Sequence, residues 1–140
     1  MRTLVMAFIA IALGQPGNPL SGNWTAEYHG TTYVRLILAD SPVGPQGTMS
    51  IGESIHVDDE GNVDRVTAAS ATLNRMLDVR WNDVVLSFAI NGGDDIDRFE
   101  FRLVDANHAE LTPIISEEDR QQLAAERIPL PKPFPLTRTR

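Results

Sequence analysis

Apolar and charged side chains alternate along residues 96–104. The apolar positions are Phe99, Phe101 and Leu103, and the charged positions between them are Arg98, Glu100 and Arg102. Because successive side chains of a β-strand point to opposite faces, this pattern predicts a strand with one buried face and one solvated face. Antiparallel sheets have such faces, whereas strands of parallel sheets are buried on both sides. The chain is therefore expected to fold around an antiparallel sheet.

Similar short alternations, separated by turn residues, recur along the chain. The predicted strands are Gly22–Tyr28, Thr31–Leu38, Gln46–Ile51, Asn62–Thr67, Thr72–Trp81, Val84–Ile90, Ile96–Val104 and Ala109–Ile114, with Leu136–Arg140 as a short edge strand. Asn82-Asp83 and Asn91–Asp95 are predicted hairpin turns, because asparagine and glycine accept positive φ. Residues 68–76 have a weaker pattern that also allows a helical turn.

One helix is predicted late in the chain, over residues 116–127. Ser116 can cap its first turn, and the three acids that follow complement the positive end of the helix dipole. Its apolar stripe is thin, so the helix is expected on the surface. Prolines then occupy every second position from 129 to 135, which enforces an extended segment. We interpret this segment as a strap over the barrel, with a ligand for a recognition groove as the alternative.

These elements predict a mainly β protein: a single antiparallel up-and-down barrel of seven to nine short strands with one late surface helix. A sandwich is the alternative. The barrel is favoured because most connections have the length of hairpins. The domain would span residues 22–140, including the helix at 116–127 and the proline-rich closing segment at 128–140.

The first fourteen residues differ in composition from the rest. Residues 4–13 form an apolar run of ten, and Arg2 is the only charge before it. The run has the length of a signal-peptide core and is too short to span a membrane, which takes about 20 residues. We predict a signal peptide at 1–14, an irregular lead-in at 15–21, and export to a bacterial periplasm or beyond, with no transmembrane segment in the mature chain. The alternative is an N-terminal core element.

Composition excludes several functions. The net charge is −7 over 140 residues, and removal of residues 1–14 leaves −8 over 126. A protein that binds the phosphate backbone would be basic, so no nucleic acid is expected as a partner. The chain contains no cysteine, which excludes disulfides, thiol catalysis and thiolate metal sites. Motifs for a serine nucleophile and for a phosphate-binding glycine loop are also absent from the sequence.

Gly22-Asn23-Trp24 opens the first predicted strand, and here the chain resembles the calycins, the group of lipocalins and avidins. In that group a G-x-W pattern begins the first strand, and its tryptophan closes one end of the barrel. The order of elements is also similar: a strand meander, a helix and a short closing strand. The resemblance implies a calycin-like barrel with structural roles for Gly22 and Trp24, and it transfers no ligand-binding residue.

Lipocalins also carry an arginine, at the end of the last meander strand, that packs across this tryptophan. Leu111–Ile114 has no such residue here, so only Arg138 or Arg140 can take the role. Separately, the stretches at residues 31–38, 97–104 and 135–138 look like small secreted bacterial β-domains of unknown function.

An acidic stretch lies in a predicted turn. Asp58, Glu60, Asn62 and Asp64 present oxygen ligands around a glycine, which is chemistry that Ca²⁺ prefers. The glycine comes two residues too early for an EF-hand, and the last position of such a loop is alanine. A looser calcium site is therefore the alternative to a solvated turn, and no other cofactor is expected.

Two further sets of polar residues have weaker functional patterns. They are Asp94, Asp95 and Asp97 at one hairpin turn, and His29, His56 and His108 at predicted strand ends or turns. The acids stand beside a glycine pair, so we expect them to be exposed rather than to form an acid/base pair. The histidines would make a zinc site only if the fold brought all three to one rim.

Most aromatic side chains fall on core faces of the predicted strands. Tyr28, Tyr33 and Trp81 are out of phase with the core or flank turns, so they are candidates to line a barrel mouth that binds a ligand. With no catalytic set, we expect an exported, non-enzymatic barrel that binds a small apolar or amphipathic molecule or an envelope partner. The alternatives are an inhibitor or accessory domain acting through turns such as Asn91–Asp95, and an envelope enzyme.

Overall fold

The computed structural model describes residues 19–92 and 95–139. The predicted signal peptide lies outside these residues, as does most of the lead-in. Eleven strands and one helix occur in the described part of the chain. They are β1 (Gly22–Tyr28), β2 (Thr31–Ala39), β3 (Gln46–Ile51), β4 (Ile55–Val57), β5 (Val63–Val66), β6 (Asn74–Arg75), β7 (Leu77–Trp81), β8 (Val85–Asn91), β9 (Ile96–Asp105), β10 (His108–Ile114), α1 (Glu117–Ala125) and β11 (Phe134–Thr139).

Nine of these strands form one antiparallel sheet, in the order β6-β3-β2-β1-β11-β10-β9-β8-β7. The two edge strands, β6 and β7, are joined in sequence by Met76 alone, and the sheet curls into a nearly closed barrel. The strand order is that of an up-and-down barrel, as the sequence predicts, and one continuous sheet excludes the sandwich. The other two strands, β4 and β5, form a separate hairpin inserted between β3 and β6.

Most of the predicted strands are confirmed to within one residue at each end. The region between β3 and β8 differs: residues 62–67 contain β5, residues 72–81 contain both β6 and β7, and residues 68–76 form no helical turn. Strand β4 is absent from the prediction, because three residues are too few for an alternation to be recognised. The β7–β8 connection has three residues rather than two, since the Asn82 side chain accepts hydrogen bonds from the N–H groups of Val84 and Val85.

The barrel interior is filled by the apolar faces of the strands. Six apolar residues on these faces are all less than 5% exposed, namely Val34, Leu36, Leu86, Phe88, Phe99 and Phe101. Full burial of each such side chain contributes about 1.5–3 kcal/mol to folding. Alternation along Val84–Ile90 predicts that Val84 shares the inner face with Leu86 and Phe88. Instead, Val84 lies in the connection before β8 and is 61% exposed.

Tyr33 lies inside the barrel, although alternation places it with Arg35 on the outer face. A β-bulge shifts the β1–β2 register between Ala26 and Glu27, and Tyr33 is the additional residue on β2. The bulge lets the adjacent side chains of Tyr33 and Val34 both be buried, at 2% and 0% exposed. The Tyr33 ring meets Phe134 edge-on, with 5.7 Å between ring centres.

Strand β11 lies inside the sheet, so the expectation of an edge strand is wrong. Its first half pairs with β10, where Pro135 is opposite Glu110, and its second half pairs with β1 from Thr137 onward. Pro135 has no N–H group, but it precedes the residues that pair with β1 and therefore removes no hydrogen bond from that ladder. This strand closes the barrel between the first strand and the meander.

Helix α1 begins where the sequence predicts. Ser116 is its N-cap, and the Ser116 hydroxyl accepts a hydrogen bond from the Asp119 N–H at 3.1 Å. No residue of α1 is buried, as expected for a surface helix. Within the described residues, no helix has the length and apolar character needed to cross a membrane.

The two ends of the barrel carry different connections. One end carries the β1–β2 turn, the β4–β5 hairpin, the β8–β9 turn, α1 and the proline segment, and we call it the helix end. The opposite end carries the start of β1, the end of β11 and the connections β2–β3, β7–β8 and β9–β10. We call it the tryptophan end, because Trp24 lies there.

Candidate functional site

Trp24 and Arg138 pack against each other at the tryptophan end. Trp24 is fully buried, and its ring meets Phe101 edge-on with 5.2 Å between ring centres. The Trp24 indole N–H donates to the Leu20 carbonyl at 2.9 Å. The guanidinium carbon of Arg138 lies 4.4 Å from the centre of the Trp24 ring, which is a cation–π distance.

Arg138 also connects separate segments of the chain. Its Nε donates to the Ala106 carbonyl at 2.9 Å, in the β9–β10 connection. Its two terminal nitrogens donate to the carbonyls of Pro19 and Ser21, just before β1. Gly22 has a φ of +138°, and a Cβ at that position would lie 2.8 Å from an Arg138 nitrogen. Glycine therefore suits this position, and the packed residues close this end of the barrel.

A cleft of about 830 Å³ opens at the helix end. The β4–β5 hairpin, the last turn of α1, the proline segment and the ends of β9 and β10 surround it. We call it the helix-end cleft. Its volume lies within the range of roughly 300–1,000 Å³ that is usual for small-molecule sites.

The floor of the helix-end cleft is apolar. It includes Phe99 and Phe134, which belong to the barrel core, and its walls include Ile55, Ile115 and Leu123. The hydrophobic effect favours transfer of an apolar ligand surface from water to such a floor, at about 25 cal/mol per Å².

The wall formed by the β4–β5 hairpin is held in place by the proline segment. The Lys132 N–H donates to the Gly61 carbonyl at the hairpin tip, at 2.9 Å. Gly61 has a φ of +88°, and a Cβ there would lie 2.5 Å from the Leu130 carbonyl oxygen. Only glycine allows this close approach without a shift of the backbone. The proline segment thus crosses the helix end and fixes one side of the cleft.

The rim of the cleft is strongly acidic. The charged or titratable residues that line it are Glu53, Asp58, Asp59, Asp64, Asp97, His56 and Arg127. Backbone hydrogen bonds from Asn62 and Glu60 hold the pKa of Asp58 below its usual value. Partial burial, together with the charge of Asp95, raises the pKa of Asp97 above its usual value.

The three aromatic residues predicted to bind a ligand lie at separate places. Tyr28 ends β1 and stacks on His29, with 4.1 Å between ring centres. Tyr33 is buried beneath the cleft, where it contacts the floor residue Phe134, and burial raises the pKa of Tyr33. Trp81 ends β7, towards the tryptophan end. Of the three, Tyr33 is next to the cleft, and their role in binding stays a prediction.

The four residues predicted as calcium ligands have partners of their own. Asp58 Oδ1 accepts the N–H groups of Glu60 and Asn62, both at 2.9 Å. Asp64 Oδ1 lies 2.5 Å from His56 Nδ1. Among the described residues, no group of three or more histidine, aspartate or glutamate side chains is placed to hold a metal ion. The calcium site stays a prediction from the sequence alone.

The three histidines do not meet at one rim. His56 lines the helix-end cleft, whereas His108 begins β10 at the tryptophan end and lies 2.8 Å from Asp105. His29 lies in the β1–β2 turn with a φ of +49°. Residues 93–94 of the Asn91–Asp95 turn, including Asp94, lie outside the described residues.

Two cleft residues, Asp97 and Arg127, are not among the predicted site residues, and only Asp97 has a signal in the sequence. Asp97 precedes Phe99 by two positions and therefore belongs to the inner face of β9, where it lies opposite the buried Ile90. An acid on the core face of a strand is unusual, and this identifies Asp97. Arg127 has no comparable signal, because its place in the cleft depends on where α1 docks.

Fold and site together define a class of protein: a small, nearly closed antiparallel barrel, sealed at one end and carrying a cleft at the other. No protein-family model matches the chain, and neither a curated protein nor a solved structure matches it significantly.

Proposed function

We propose that the protein is an exported, non-enzymatic binding module that carries a small apolar or amphipathic molecule in the helix-end cleft. The observation that carries this proposal is the cleft itself, because its volume suits a small ligand and its floor is built from core aromatic residues. The predicted signal peptide supports export to a bacterial periplasm or the exterior.

We also propose that the barrel is calycin-like. The support is the contact between Arg138 and Trp24, since an arginine across the tryptophan of the G-x-W pattern is the arrangement that the resemblance implies. Here the arginine comes from β11 rather than from the last strand of the meander. In this arrangement a ligand enters at the helix end, because the opposite end is filled by side chains.

The binding proposal is tested with N-phenyl-1-naphthylamine, a neutral apolar dye that fluoresces when it leaves water. The wild-type protein should bind this dye at a saturable site. Leu123→Trp places a larger ring in the cleft and should weaken binding about tenfold. Ala124→Trp is the matched control, because Ala124 is the neighbouring exposed helix residue and does not line the cleft.

Failure of the wild-type protein to bind the dye would count against the cleft as a ligand site. If both tryptophan variants lose the same dye affinity, the dye binds to the helix surface rather than in the cleft. Native mass spectrometry of the protein purified from its own host then identifies the natural ligand by its mass.

A further inference from the structure

Negatively charged groups outnumber positively charged groups around the helix-end cleft. Five carboxylates line it, against one arginine and one histidine. The apolar floor and the acidic rim belong to the same cavity, so a ligand that fills the cavity contacts both.

Only some of these carboxylates are already engaged. Asp58 accepts two backbone N–H groups in the hairpin tip, and Asp64 is paired with His56. Across the described part of the chain, Glu53, Asp59 and Asp97 form no salt bridge with any lysine, arginine or histidine. The cleft therefore presents negative charge that the protein itself does not neutralise.

Asp97 belongs to the same strand as the floor residue Phe99. It lies two residues before Phe99, on the same inner face of β9, and both residues line the cleft. A ligand that contacts the Phe99 ring with an apolar group is thus within reach of the Asp97 carboxylate with a polar group.

We propose that the helix-end cleft selects small amphipathic cations, with the apolar part of the ligand on the Phe99 and Phe134 floor and its ammonium group beside Asp97. This inference rests on the small-ligand function proposed above. Partial burial and the charge of Asp95 disfavour the ionised form of Asp97 and raise its pKa, and a cation bound beside it would favour that form. Because exposed ion pairs are individually weak, the preference for a cation should be about tenfold rather than absolute.

Arg127 is the feature that would favour the opposite charge. It lines the same cleft and forms no salt bridge within the described residues. An anionic ligand would pair with it, but would also lie among the unneutralised carboxylates. We therefore favour the cation, and the anion becomes an outcome of the test.

The experiment compares three ligands with the same chain: octyltrimethylammonium, octanol and octanoate. Each is titrated into the full protein at neutral pH, with displacement of the naphthylamine dye as the readout. We expect octyltrimethylammonium to bind about tenfold more tightly than octanol, and octanoate to bind most weakly. The difference between cation and alcohol should shrink as ionic strength rises, because salt screens exposed charges.

Asp97→Asn should reduce the cation preference by about twofold to fivefold and leave the affinity for octanol unchanged. Asp83→Asn is the matched control: it removes the same charge at the tryptophan end, where the left-handed φ of 75° also suits asparagine.

The outcomes separate the two proposals. If octanol binds and octanoate binds as tightly as the cation, the charge inference is overturned while the binding function stands. The inference is also overturned if Asp97→Asn leaves the cation preference intact. If neither the dye nor any octyl ligand binds, the binding function itself fails.

Discussion

At the residue scale, Arg138 combines three interactions in one side chain. It lies over the Trp24 ring, it donates to the β9–β10 connection, and it donates to the chain just before β1. The hydrogen bonds to Pro19 and Ala106 are exposed and the one to Ser21 is partly buried. Water can therefore replace the lost donor in part, and each hydrogen bond contributes about 0.5–1.5 kcal/mol. We therefore expect Arg138 to contribute more to the stability of the fold than a partly exposed arginine usually does.

Arg138→Met should lower the free energy of unfolding by about 1–3 kcal/mol, because the cation–π contact and the carbonyl hydrogen bonds are both lost. Urea denaturation measures this change. Arg35→Met, on the exposed outer face of β2, is the control and should change stability by less than about 0.5 kcal/mol. Similar losses in the two variants would contradict a special role for Arg138.

The carboxyl of Asp97 gives stability a pH dependence of defined sign. Its pKa in the folded protein is raised by burial and by Asp95. The folded state therefore binds this proton more tightly than the unfolded state, and stability falls as the pH rises from about 3.9 through the raised value. The other charged or titratable groups that line the cleft near Asp97 include Glu53, Arg127 and His56.

Asp97→Asn should accordingly be more stable than the wild type at pH 7, by about 0.5 kcal/mol or less because solvent screens a partly exposed group. The difference should vanish near pH 3, where the wild-type carboxyl is protonated. Thermal denaturation across this pH range provides the measurement, with Asp83→Asn as the control. A variant that is less stable at pH 7 would show that the Asp97 charge stabilises the empty protein.

At the element scale, α1 ends in a conformation that its sequence disfavours. Arg127 has a φ of 56°, and the Ile128 N–H donates to the Leu123 carbonyl while the Arg127 N–H donates to the Ala124 carbonyl. This is the Schellman arrangement, in which glycine usually occupies the left-handed position. The same turn places Arg127 and Ile128 at the cleft.

Arg127→Gly should therefore raise the free energy of unfolding by about 1 kcal/mol, because glycine adopts a left-handed φ without the steric cost of a Cβ. Arg120→Gly, within the exposed part of the same helix, should lower it by about 1 kcal/mol. Chemical denaturation measures both changes in the free energy of unfolding. Changes of opposite sign would establish that the left-handed φ of Arg127 is strained. Destabilisation by both changes would indicate that Arg127 makes stabilising contacts that outweigh this strain.

At the scale of the whole molecule, closure depends on β11 and not on α1. β11 contributes Phe134 and Leu136 to the core and pairs with strands on both sides, whereas no residue of α1 is buried. Without β11, both β1 and β10 would have an open edge, which favours aggregation.

Deletion of residues 134–140 should therefore abolish the folded barrel. Replacement of residues 117–125 by a glycine–serine linker of equal length should retain it and widen the cleft. Circular dichroism and size-exclusion chromatography distinguish the two outcomes. A folded monomer after deletion of β11 would show that the remaining strands close without it.

Local patterns in the sequence predict most of the fold. The strands β1, β2, β3, β8, β9 and β10 follow from alternation and turn residues, and the start of α1 follows from Ser116 and the acids after it. These features depend on side chains close together in the sequence. For that reason they were predictable without knowledge of any contact between distant segments.

The sequence by itself therefore determined an antiparallel barrel, most of its strands, its surface helix and its acidic charge. Only the tertiary structure decided that Tyr33 lies inside, that β11 is an interior strand, that Arg138 reaches Trp24, and that Asp97 and Arg127 share one cleft. The physical reason is the separation in sequence of the residues involved. A bulge, a strand register or the docking of a helix depends on contacts between residues far apart in the chain. No periodicity within a single segment records such contacts.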